Sequence, residues 1–73
     1  MKKIKHEPYN AFKGKLREKG LLYKDVAATL DISEVAVSKK INGFSDFYVG
    51  ETKKIFEVFG IETKIFFGDK VSN

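Results

Sequence analysis

The sequence predicts an all-α bundle of four to five short helices, and three observations carry that expectation. Apolar residues recur at helical spacing in successive windows: Phe12 and Leu16, then Val26, Ala27 and Leu30, then Ile55, Phe56 and Phe59. The breaks between the windows hold helix-stopping or helix-capping residues, namely Gly20, Asp31-Ile32-Ser33, Asn42-Gly43 and Gly60. Seventy-three residues without a cysteine allow one small domain held by packing alone, and seven Phe and three Tyr are available for it. A chain this size buries only about 60% of its unfolded surface, so the core must be tight.

Taken in order, residues 1–8 form a basic arm, with Lys2, Lys3, Lys5 and His6 ahead of Pro8. It is open to two readings: a solvated terminus, or an arm that touches phosphates or a minor groove. His6 is the only histidine and has no second ligand candidate nearby, so we expect no metal site and no cofactor. Asn10 can cap a first helix that runs to about Lys19, with Tyr9, Phe12 and Leu16 on its apolar side and Gly20 as its stop. Gly14 inside it costs about 1 kcal/mol relative to Ala. Lys13, Lys15, Arg17 and Lys19 make up most of the remainder, largely a solvated face with one or two cations in reach of phosphates.

The second and third helices lie in Tyr23 to Gly43. Asp31 tolerates the left-handed conformation that closes the second, and the Ser33 hydroxyl can accept from free N–H groups at the start of the third. Val37 and Ile41 give the third helix a narrow apolar side, while Lys39 and Lys40 suit its C-terminal dipole. Two short helices around one tight turn form a helix-turn-helix pattern. A fourth helix spans about Val49 to Phe59, with Val49, Thr52, Ile55, Phe56 and Phe59 on its core side. Tyr48 precedes it without a capping hydroxyl at the usual position, yet Glu51 can still reach back to a backbone N–H. Phe47 reads as a core plug beneath it. Ile65, Phe66 and Phe67 then form an apolar run before Gly68, either a fifth turn or an extended segment. That run packs on the chain's own core or makes a subunit contact, a homodimer through Phe66 and Phe67. The chain thus divides into an arm at residues 1–8, a domain at residues 9–67 and a tail at residues 68–73.

The ordered set Leu22, Val26, Ala27, Leu30, Ile32, Ser33, followed by Val37-Ser38-Lys39-Lys40-Ile41-Asn42-Gly43, resembles the Cro/C1-type helix-turn-helix family of phage repressors and small regulators. The likeness covers roughly residues 9–61 and includes the Glu51 helix that ends in Phe59-Gly60-Ile61. It implies a lambda-repressor-like bundle and a cytoplasmic transcriptional regulator that binds double-stranded operator DNA through helix three, about residues 33–42. By position, Glu34, Val35, Ser38 and Lys39 would meet base edges. Lys39 can donate to guanine, Val35 can touch a thymine methyl, and Glu34 can accept from cytosine N4. Ser33, Lys40 and Asn42 would serve phosphates. The chain departs from the family at Asp31, where Gly is usual, and at Glu34, where Gln or Arg is frequent.

Glu34, beside Val35 and Ala36, also fits a second expectation. A carboxylate at the mouth of a polyanion's groove is repelled, whereas the same face suits the basic DNA-binding surface of another repressor. Small proteins of this type also act as antirepressors, binding a partner phage repressor and blocking its DNA contact. The net charge of +4 suits a polyanion partner without selecting one. No Ser/His/Asp set, Gly-rich phosphate loop or carboxylate cluster points to catalysis, so we do not expect an enzyme. No apolar run approaches the roughly 20 residues of a membrane span. The charged start has no apolar stretch behind it, so no signal peptide is expected.

Overall fold

Local signals fix where each helix stops in the computed structural model, which describes residues 4–67, the side chain of Phe67 excepted. The helices are α1 (Asn10–Lys19), α2 (Tyr23–Leu30), α3 (Glu34–Ile41), α4 (Val49–Phe59) and α5 (Lys64–Phe67), with no strand among the described residues. α1 ends at Gly20 (φ 70°), after which the Leu21 N–H returns to the Leu16 carbonyl at 2.8 Å. Asp31 closes α2 in the left-handed region (φ 59°, ψ 43°), as its short polar side chain permits. Ser33 Oγ then accepts from the Ala36 N–H at 3.0 Å and starts α3. α2 and α3 are thereby joined by a tight turn and pack against each other. The run after Gly60 is helical, so the choice between turn and extended segment falls to a short α5.

One expected local detail changes and another holds. Tyr9, not Asn10, occupies the cap position of α1 and makes no side-chain cap bond. Asn10 is the first residue of the helix, and its N–H bonds the Pro8 carbonyl at 2.9 Å. At α4 the Glu51 carboxylate accepts from the Tyr48 N–H at 2.9 Å, so the reaching half of a capping box operates without the other half.

The core gathers Phe12 and Leu16 of α1, Val26 and Ala27 of α2, Val37 and Ile41 of α3, Ile55 of α4, and Phe47, Ile61 and Phe66 from the later loops and α5. Each large side chain fully withdrawn from water contributes about 1.5–3 kcal/mol. Phe66 sits among Tyr9, Phe12 and Phe47, with ring centroids 5.2, 4.9 and 5.0 Å away. Such tilted and edge-on pairs add to simple burial. Phe66 is therefore spent on the chain's own core, while the Phe67 side chain, the other half of the expected subunit contact, lies outside the described residues. Phe56 is a plain correction, since it remains 50% exposed. α4 offers the bundle only the Thr52, Ile55 and Phe59 stripe, and Phe56 falls just past its edge. Val49, also expected inside, lies exposed at the first residue of α4.

The basic arm is not separate from the domain over the residues described. The Lys5 and His6 N–H groups bond the Gly43 carbonyl, and Tyr9 N–H bonds the Ile41 carbonyl at 2.9 Å. Gly43 adopts φ 97°, and a Cβ there would run into the His6 carbonyl oxygen and the Ile4 side chain. Glycine is thus required twice, for its conformation and for the close approach of the strap. Lys2 and Lys3 of the arm, and the tail at residues 68–73, lie outside the described residues. No helix among the described residues is long and apolar enough to cross a membrane.

Candidate functional site

The helical period divides α3 cleanly. Val37, Lys40 and Ile41 turn inward, while Glu34, Val35 and Lys39 stand exposed and Ser38 and Asn42 lie half-buried beside them. The spacing 34, 35, 38, 39, 42 places these five residues on one side. Val35 is 64% exposed, as Val49 and Val58 of α4 are to a similar degree. Ser33 stands at the mouth of this face with its hydroxyl engaged as the α3 cap. Glu34 in the first turn and Lys39 in the last both complement the helix dipole, which is a sufficient structural role for each.

Lys40 does not belong to this face. It is buried, and its ammonium donates to the Asp46 carbonyl at 2.9 Å and to Glu51 Oε1 at 3.0 Å. The same nitrogen lies 4.3 Å from the centroid of the Tyr48 ring. An ammonium has three N–H groups, and two hydrogen-bond acceptors and an aromatic face now surround it. The expectation that Lys40 meets phosphates therefore fails. Its position falls on the buried side of α3, and its long stem reaches a carboxylate at the start of α4. Glu51, conspicuous in the sequence as half a capping box, was the available signal.

A second polar connection borders the exposed face. Lys13 Nζ of α1 donates to Asn42 Oδ1 at 2.8 Å. Asn42 Nδ2 donates in turn to the Ser38 carbonyl at 2.9 Å and, more weakly, to Ser38 Oγ at 3.3 Å. Asn42 thus ends α3 and ties it to α1. Lys13 and Arg17, one helical turn apart on α1, line a cleft of about 410 Å³ with Leu22 and Tyr23 at the start of α2. Reading α1 as largely a solvated face missed this role of Lys13.

At the far end of α3 the strap is held by His6. Its Nδ1 lies 2.7 Å from the Glu7 carbonyl and its Nε2 lies 2.8 Å from the Ser45 carbonyl. The ring stacks on Tyr9 with centroids 4.3 Å apart. Burial, and then the Asp46 carboxylate, hold the Tyr9 phenol above its usual titration range. Among the described residues no group of three His, Cys, Asp or Glu side chains could hold a metal ion.

Fold and face together define a small all-helical domain that displays one short, mixed-polarity helix side. The chain matches no family model, no curated protein and no solved structure.

Proposed function

We propose that this chain is a small phage-type transcriptional regulator of lambda-repressor-like helix-turn-helix fold that binds double-stranded operator DNA through α3. The observation that supports this reading best is the division of α3. Val37, Lys40 and Ile41 anchor the helix, while Glu34, Val35, Ser38, Lys39 and Asn42 stay accessible on one side. A helix presented in this way fits a major groove, and α1 contributes Lys13 at its margin through Asn42. Fluorescence anisotropy with a labelled mixed-sequence duplex tests the reading. The logarithm of the binding constant should fall linearly with the logarithm of salt concentration, and Lys39→Ala should flatten that slope. A chain that ignores duplex DNA at about 50 mM salt, where phosphate contacts are strong, defeats the proposal.

The withdrawal of Lys40 favours a second reading. Without it the α3 face carries Glu34 against Lys39 and leaves Val35 open, a pattern that suits a basic protein surface. On this reading the chain is an antirepressor that blocks a partner phage repressor. Glu34→Gln then weakens the complex by about 2–5 kcal/mol, as removal of one member of an interfacial charge pair does. On the DNA reading the same change leaves affinity equal or better, except at a site where Glu34 accepts from a cytosine.

A further inference from the structure

We infer that the strap at the end of α3 is a proton-operated latch, which His6 ties down fully only as the doubly protonated imidazolium. Both ring nitrogens face backbone carbonyls: Nδ1 lies 2.7 Å from that of Glu7, and Nε2 lies 2.8 Å from that of Ser45. A carbonyl oxygen only accepts, so each contact calls for an N–H on the ring. The neutral imidazole has one N–H and the imidazolium has two. Whichever tautomer the neutral ring takes, one nitrogen turns its lone pair onto a carbonyl oxygen at hydrogen-bond distance. The His6 side chain is only 17% exposed, which limits how far water can take over the lost bond.

The charges around the ring agree with this. The Asp46 carboxylate of the α3–α4 loop lies 3.9 Å from Nε2 and attracts an imidazolium. On the strap itself Lys5 and Glu7 are both exposed, one of each sign. The Tyr9 ring stacks on His6, and Lys40 of α3 is already engaged by the Asp46 carbonyl and Glu51. The latch holds more than itself. The Lys5 N–H reaches the Gly43 carbonyl at 2.6 Å, so the strap covers a carbonyl just beyond α3 that is otherwise left to water. A closed state that needs both protons is favoured as protons become abundant. The strap therefore closes in mild acid, and it loosens in mild alkali to release the basic segment that contains Lys5.

The test is backbone amide hydrogen exchange of the labelled full chain between about pH 5 and pH 8, the span in which histidine changes charge. Rates are corrected for the intrinsic pH dependence of exchange and compared for wild type, His6→Gln and Asp46→Asn. In wild type the protection of the Lys5 N–H should fall by about threefold to tenfold as pH rises, the worth of one hydrogen bond. Protection at Val37 and Ile55 should hold, and ring nitrogen spectra should show both nitrogens protonated where the strap is closed. His6→Gln should give low protection at Lys5 that no longer depends on pH. Asp46→Asn should keep the dependence, because the two carbonyls remain. Its loss in that variant would reduce the effect to an ion pair and overturn the inference. Flat protection in wild type, a dependence that survives His6→Gln, or an equal fall at Val37 and Ile55 would each overturn it as well.

Discussion

Lys40 shows how much a single residue can alter the chemistry of a helix face. In the sequence Lys39 and Lys40 are adjacent equals at the end of α3, and only the second is taken out of water to meet Glu51 at 3.0 Å. Breaking one side of so enclosed a pair leaves the other charge uncompensated. Lys40→Ala should cost about 3 kcal/mol in urea denaturation, and replacing both residues by Met and Leu should restore most of it. Lys39→Ala should cost well under about 1 kcal/mol, the worth of an exposed charge at a helix end. Tyr9 offers a test by pH. Its phenol titrates above its ordinary value in the folded chain, so the native state holds that proton more tightly than the unfolded state. The associated stability is complete below about pH 10 and is lost as pH rises through the folded value. Tyr9→Phe should therefore lose less stability on alkaline titration than wild type. An equal alkaline loss in both chains would mean that Tyr9 is solvated.

At the scale of elements, the α2–α3 unit was legible because its signals are local. Asp31 supplies the left-handed stop, Ser33 supplies the cap, and Val37 and Ile41 mark the inner side. α4 was legible in extent but not in facing. Its apolar residues outnumber the positions that the neighbouring helices can cover, and sequence period alone cannot say which is left at the edge. Ile55→Ala should accordingly cost about 2–5 kcal/mol, whereas Phe56→Ala should cost only about 1 kcal/mol. Equal losses on thermal denaturation would return Phe56 to the core. The strap was illegible for another reason. It depends on Gly43 and on carbonyls from a loop distant in sequence, and nothing in the arm announces them. Gly43→Ala should destabilise the fold by obstructing both the φ of 97° and the approach of His6.

Across the whole molecule, the late apolar run closes the fold instead of extending it. Phe66 completes an aromatic group with Tyr9, Phe12 and Phe47, residues contributed by the start of the domain, α1 and the α3–α4 loop. Phe66→Ala should thus cost about 3–5 kcal/mol, without a change of mass in light scattering. That α3 keeps Glu34, Val35 and Lys39 on an exposed side, opposite Val37 and Ile41, could be read from its period. That Lys13 would border it, and that Lys40 would leave it, required the packed chain. The central claim is that this face, with its α1 margin, meets duplex DNA. The most direct measurement is an amide chemical-shift titration of the labelled chain with a mixed-sequence duplex at low salt. The largest shifts should fall at Glu34, Val35, Ser38, Lys39 and Asn42, with Lys13 next and Phe56 and Val58 unmoved. No shifts on addition of duplex, or shifts centred on Phe56 and Val58, would contradict it.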